Sequence, residues 1–141
     1  MRIIIADQRA SARTALRLFL QEQEHIEVIY EARRVGELLR DAPGYAPDIV
    51  FLNWGLPGFK GQRLASKTGE TPPQRTLNQI KAVVIAALHY LPSRPAVVVI
   101  GNQPDERLPA LVSGADDFLY QGEVAHLLAL LKSIQSRLAQ S

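Results

Sequence analysis

Short, continuous apolar runs alternate along the chain with stretches of helical spacing. Three runs are unbroken: Ile3-Ile4-Ile5-Ala6, Ile49-Val50-Phe51-Leu52 and Ala96-Val97-Val98-Val99-Ile100. Runs of this length without polar interruption predict strands buried on both faces. Ile26-Glu27-Val28-Ile29-Tyr30 alternates in part, as a strand near a sheet edge does, and Phe118-Leu119-Tyr120 follows the turn signal Ser113-Gly114-Ala115. Between the strands, apolar residues recur at helical intervals: Ala12, Ala15, Leu16, Phe19 and Leu20; Val35, Leu38, Leu39 and Ala42; Leu77, Ile80, Val83, Val84, Ala87, Leu88 and Leu91; and Val124, Leu127, Leu128, Leu131, Ile134 and Leu138.

Such alternation predicts right-handed crossovers and a parallel sheet with helices on both faces. The expected fold is α/β: a flavodoxin-like, doubly wound, five-stranded sheet of order 2-1-3-4-5. In it, a ligand crevice opens at the carboxyl ends of strands one and three. Here those ends are Asp7-Gln8 and Asn53. With 141 residues, 47% of them hydrophobic, residues 1–141 form one domain of ordinary size.

Charge and cysteine content narrow the chemistry. The formal charge is +2, with basic residues dispersed among nearly as many acids, so a mixed solvated surface is expected and direct nucleic-acid binding is not. The chain has no cysteine, which removes disulfides, thiolate catalysis and zinc-thiolate sites. Asp7 interrupts the apolar start too early for a signal sequence, and the apolar stretch at 82–91 falls short of the ~20 residues that span a bilayer. A cytoplasmic location and no membrane contact are therefore expected.

Taken in order, Ile3–Gln8, Pro47–Gly58, Val97–Gly101 and Ser113–Gln121 resemble the receiver domain of bacterial response regulators, over nearly the whole chain. The resemblance implies that an acidic pair ends the first strand and a phosphoacceptor aspartate the third. A Ser or Thr then ends the fourth strand and a Lys the fifth. This chain has Asp7 and Gln8, Asn53, Gly101 and Gln121 at those places.

Each exchange has a chemical consequence. An amide at position 53 cannot act as the carboxylate nucleophile. Of three acids that would hold magnesium, Asp7 alone is left, and octahedral binding in such sites rests on carboxylates. Gln121 lacks the point charge that a lysine offers a phosphate. Gly101 has no hydroxyl with which to sense a phosphoryl group. No catalytic residue, no resident metal and no cofactor are expected, with magnesium binding weak or absent.

Asp7 itself is expected to cap the first helix or to accept hydrogen bonds from loop amides. Trp54, the sole tryptophan, is read either as an aromatic lid and partner anchor or as a ring covering the crevice mouth. Phe118 occupies the place of the receivers' switching aromatic and is read, like Trp54, as a crevice or partner contact, with a core role as its plainer reading. His25, His89 and His126 lack the spacing of a metal set or triad and are expected to be structural.

Two departures from a plain receiver stand out. A polar, proline-broken insertion at about 62–76 exceeds the usual connection of this class and is locally basic through Arg63, Lys67 and Arg75. It is read as a loop at the crevice rim, either a docking element or without a role. The fourth helix, 104–113, is short and stiffened by Pro109. Leu130, beside the core row Leu127, Leu128 and Leu131, is an extra apolar residue, read either as a dimer contact or as an ordinary exposed leucine.

The expected function is that of a phosphorylation-independent pseudo-receiver in two-component-type signalling, not an enzyme. It would bind a protein partner or a second copy through the face of helix 4, strand 5 and helix 5. Two alternatives are a small-molecule or anion-binding module in the crevice and the N-terminal regulatory domain of a longer transcriptional regulator.

Overall fold

The computed structural model describes residues 1–59, 73–120 and 123–140. The elements are β1 (Arg2–Ala6), α1 (Ala10–Gln21), β2 (Glu27–Ala32), α2 (Val35–Tyr45), β3 (Ile49–Asn53), α3 (Gln74–His89), β4 (Ala96–Gly101), a 3-10 turn (Pro104–Glu106) running into α4 (Arg107–Val112), β5 (Asp117–Tyr120) and α5 (Val124–Gln140). All strand pairings are parallel, in the order β2-β1-β3-β4-β5. This is the flavodoxin-like architecture expected from the alternation of strand and helix.

The strand alternation divides the interior in two. Ile4, Ala6, Val50, Leu52, Val97, Val99 and Phe118 face one side, where Val35, Leu38 and Ala42 of α2, Val84, Ile85 and Leu88 of α3 and Ala110 of α4 cover them. Ile3, Ile5, Ile49, Phe51, Val98 and Leu119 face the other, under Leu20 of α1 and Leu127, Leu131 and Ile134 of α5. Side chains that alternate across a pleated sheet require both faces to be covered, so the period of two within strands and of 3.6 within helices together set the layers. Among the described residues, no helix is long and apolar enough to cross a membrane.

Two sequence expectations need correction. Gln74, Arg75 and Thr76 are not loop but the first turn of α3, behind Pro73 at the N-cap. In α5 the surface leucine is Leu128, 37% exposed, while Leu130 packs half-buried against the core.

Candidate functional site

The carboxyl ends of β1 and β3 meet at the point where the strand order reverses, as this topology requires. A crevice of about 330 Å³ lies there, lined by Asp7, Gln8, Arg9, Asn53, Gly55 and Asn102. Asp7 and Asn53 are both 5% exposed, whereas Gln8 lies at the surface.

Asp7 is fully engaged. Its Oδ1 accepts the backbone N–H of Arg9 at 2.9 Å and Arg9 Nε at 3.2 Å, and its Oδ2 accepts Arg9 Nη2 at 3.0 Å. A forked guanidinium across both carboxylate oxygens is the strong form of such a pair. The hydrogen bond to Asp7, opposed by partial burial, raises the Arg9 pKa further. The aspartate accepts a loop amide and does not cap α1, whose N-cap is Arg9 with no side-chain cap bond. Behind it, Arg13 Nη1 donates to the carbonyls of Asp7 and Gln8 at 2.8 and 3.1 Å, and Glu31 holds Arg13 and Arg17. The turn after β1 is therefore fixed from both its backbone and its side chains.

Asn53 is also committed. Its Oδ1 accepts the N–H of Gly55 at 2.9 Å, and its Nδ2 donates to Asn102 Oδ1 at 3.2 Å, joining the ends of β3 and β4. The turn that follows closes on α2: Pro57 O accepts the Val35 N–H, and Gly58 has φ of +108°, with space for an added Cβ only 3.0 Å from that of Val35. Glycine is demanded there on both counts.

At the end of β4, Gly101 packs against the Cζ end of the Phe118 ring, and a Cβ at position 101 would overlap it. Phe118 has no exposed surface. Arg107 completes the arrangement: its guanidinium lies 4.9 Å from the ring centroid, and it donates to Phe118 O and to Glu123. The reading of Phe118 as a partner or crevice contact is thereby corrected, because the ring fills the interior volume that a larger residue at 101 would need.

Trp54 is 2% exposed and is no surface anchor. The ammonium of Lys81, from α3, sits 4.0 Å from its ring centroid. Sequence reasoning missed both Lys81 and Arg9. Lys81 was detectable, since it interrupts the row Leu77, Lys81, Val84, Leu88 at a core-facing position. Arg75 is exposed on the first turn of α3. Arg63, Lys67 and Gln121 lie outside the described residues. The histidines are apart: His89 pairs with Asp116 at 2.7 Å and His126 with Asp117 at 2.9 Å, while His25 takes a left-handed φ of 63° in the turn before β2.

The chain is 30% identical over 131 residues to the oxygen regulatory protein NreC of Staphylococcus epidermidis, a match that covers 87% of this chain and 56% of that protein. The structure of the signal receiver domain of the response regulator NarL from Mycobacterium tuberculosis superposes with a TM-score of 0.67 over 95% of each chain, at 22% identity. In fold, the chain is similar to response regulator receiver domains.

The chain spans about half the length of the curated relatives it matches. No family model matches it. A similar fold also occurs within RcsB from Salmonella enterica serovar Typhimurium bound to promoter rprA in the presence of the phosphomimetic BeF3-, with a TM-score of 0.66 and 18% identity over 92% of this chain and 66% of that one. A receiver-type fold can thus be part of a DNA-bound protein, and the expectation against nucleic-acid contact gains no support from the comparisons.

Proposed function

We propose that this receiver-type domain is a pseudo-receiver: a signalling module that acts through protein contacts without being phosphorylated. The observation that carries the reading is the bidentate engagement of Asp7 by Arg9, beside an amide at position 53. The crevice offers one carboxylate, and a fixed guanidinium already compensates its charge. Magnesium demands nearly ideal octahedral oxygen ligation and is released from water reluctantly, so this donor set does not suit it. The Asn53 carboxamide has no nucleophilic oxygen to give an acyl phosphate, and its Oδ1 is occupied by the Gly55 N–H. The inward Phe118 ring supports a single, fixed conformation of the output side, because a phosphate-dependent rotation would need room and a hydroxyl that Gly101 does not supply.

That output side is apolar. Leu108, Leu111 and Val112 on α4 and Val124 and Leu128 on α5 are all exposed, a concentration that fits a protein partner or a second copy.

Incubation with magnesium and acetyl phosphate, followed by intact-mass measurement, tests the reading. An unchanged mass is expected, and a stoichiometric phosphoryl adduct overturns it. A second reading, favoured by the greater length of NreC and of promoter-bound RcsB, makes the module the regulatory part of a longer DNA-binding regulator. Under it, this chain alone binds promoter DNA no more tightly than random DNA in a salt titration.

A further inference from the structure

Lys81 is the anomaly of the interior. It is 8% exposed, its amine lies over the rings of Trp54 at 4.0 Å and Phe59 at 5.3 Å, and it has no ion pair or hydrogen bond with any described residue. Glu106, whose charge acts on it, spends one carboxylate oxygen on the N–H groups of Asn102 and Gln103, at 2.6 and 2.9 Å. A buried ammonium without a counter-ion is costly, and the aromatic faces offset only part of that cost. Burial accordingly lowers the Lys81 pKa to about 8.

The same amine lines a pocket of about 360 Å³ whose other walls are Trp54, the turn 55–58, Phe59 and Leu77. Gly55 is the wall it shares with the Asp7 crevice, but Asp7 and Asn53 do not line it. The volume is within the range of small-molecule sites, which combine apolar walls with a few placed polar groups.

We propose that this pocket binds a small organic carboxylate, with its head on Lys81 Nζ and its hydrocarbon body between Leu77 and the turn that carries Trp54. A single ammonium matches a single negative charge, which favours a carboxylate over a phosphate dianion. Apolar walls favour a ligand with a hydrocarbon body over a fully hydrated inorganic ion. The site is independent of phosphorylation, since it uses neither Asp7 nor Asn53.

Titration of the intact chain with phenylacetate and with hexanoate, read by Trp54 emission and by NMR of the Lys81 side chain, tests the proposal. Both probes should give a saturable response, at least tenfold weaker for the neutral analogues phenylethanol and hexanol and for inorganic phosphate. Lys81→Met keeps the volume and removes the charge, and should weaken carboxylate binding at least tenfold; Lys81→Gln serves the same purpose if the methionine variant does not fold. A flat response at both Trp54 and Lys81, equal binding by the charge-free variant, or phosphate binding as tight as that of the carboxylates overturns it.

Discussion

Phe118 and Gly101 are packed so closely that the aromatic ring occupies the volume of the missing side chain, and the two positions share one space. Adding a methyl group at 101 forces the ring from its site or shifts β4. Overpacking of this kind costs about 1–3 kcal/mol. Gly101→Ala should lower stability by that amount in urea unfolding, and Gly101→Thr by more. In a Phe118→Leu background the Gly101→Ala cost should shrink, because the two residues share one space and their effects are not additive. Equal costs in the two backgrounds would show that the contact is not what limits position 101.

The Asp7–Arg9 fork makes a second prediction, about metal. If charge is what the crevice lacks, the double change Gln8→Asp and Asn53→Asp supplies three acids and should bring magnesium-dependent thermal stabilisation that the unaltered chain does not show. Arg9→Ala added to that pair should increase the effect, since the guanidinium no longer competes for Asp7. Without magnesium, the clustered carboxylates should lower the melting temperature. A triple variant whose melting temperature ignores magnesium would locate the deficit elsewhere than in charge.

The sheet was legible because β1, β3 and β4 are unbroken apolar runs, and a run buried on both faces has few alternatives. The start of α3 was not. Gln74, Arg75 and Thr76 present polar side chains on the first turn, so the apolar period begins only at Leu77 although the helix begins behind Pro73. In α5, four leucines within five positions leave the core-facing row ambiguous; the sequence reading placed Leu128 in it, whereas the packing places Leu130 there, a distinction that the pattern does not carry. At the site, the residue types at 7, 8, 53 and 101 were readable as chemistry. The clamp of Arg9 on Asp7 was not, because it depends on the direction of one flexible side chain. Lys81 escaped because a search for apolar periodicity passes over a charged residue in an apolar row.

That lysine gives a pH prediction with a definite sign. Its folded pKa of about 8 lies below the ordinary value of 10.5, so between those values the unfolded chain binds more protons than the folded one. Stability from this group therefore rises as pH increases from about 8 to 10.5, and the penalty is fully present below that window. Urea unfolding of the unaltered chain and of Lys81→Met across this range isolates the effect: the stability of the former should gain on the latter as pH rises. Parallel curves would mean that the ammonium is solvated or paired.

The apolar output face supplies the last prediction. Leu108 and Val112 are 70% and 77% exposed on α4, a short helix held by Pro109 and by the Arg107 bridge to Glu123. Side chains this exposed contribute little to the fold, and substitutions there typically alter stability by no more than about 0.5 kcal/mol. They would matter to an interface, where a carboxylate at an apolar contact is desolvated without a partner. Leu108→Glu with Val112→Glu should therefore leave the unfolding midpoint nearly unchanged while weakening self-association, read by sedimentation velocity, or capture of a purified partner, by at least tenfold. Leu39→Glu, an exposed leucine on α2, serves as the control, on the same face of the sheet as α4 but toward its β2 edge. If the α4 pair and the α2 control behave alike, the exposed leucines of α4 are ordinary surface and the contact face lies elsewhere.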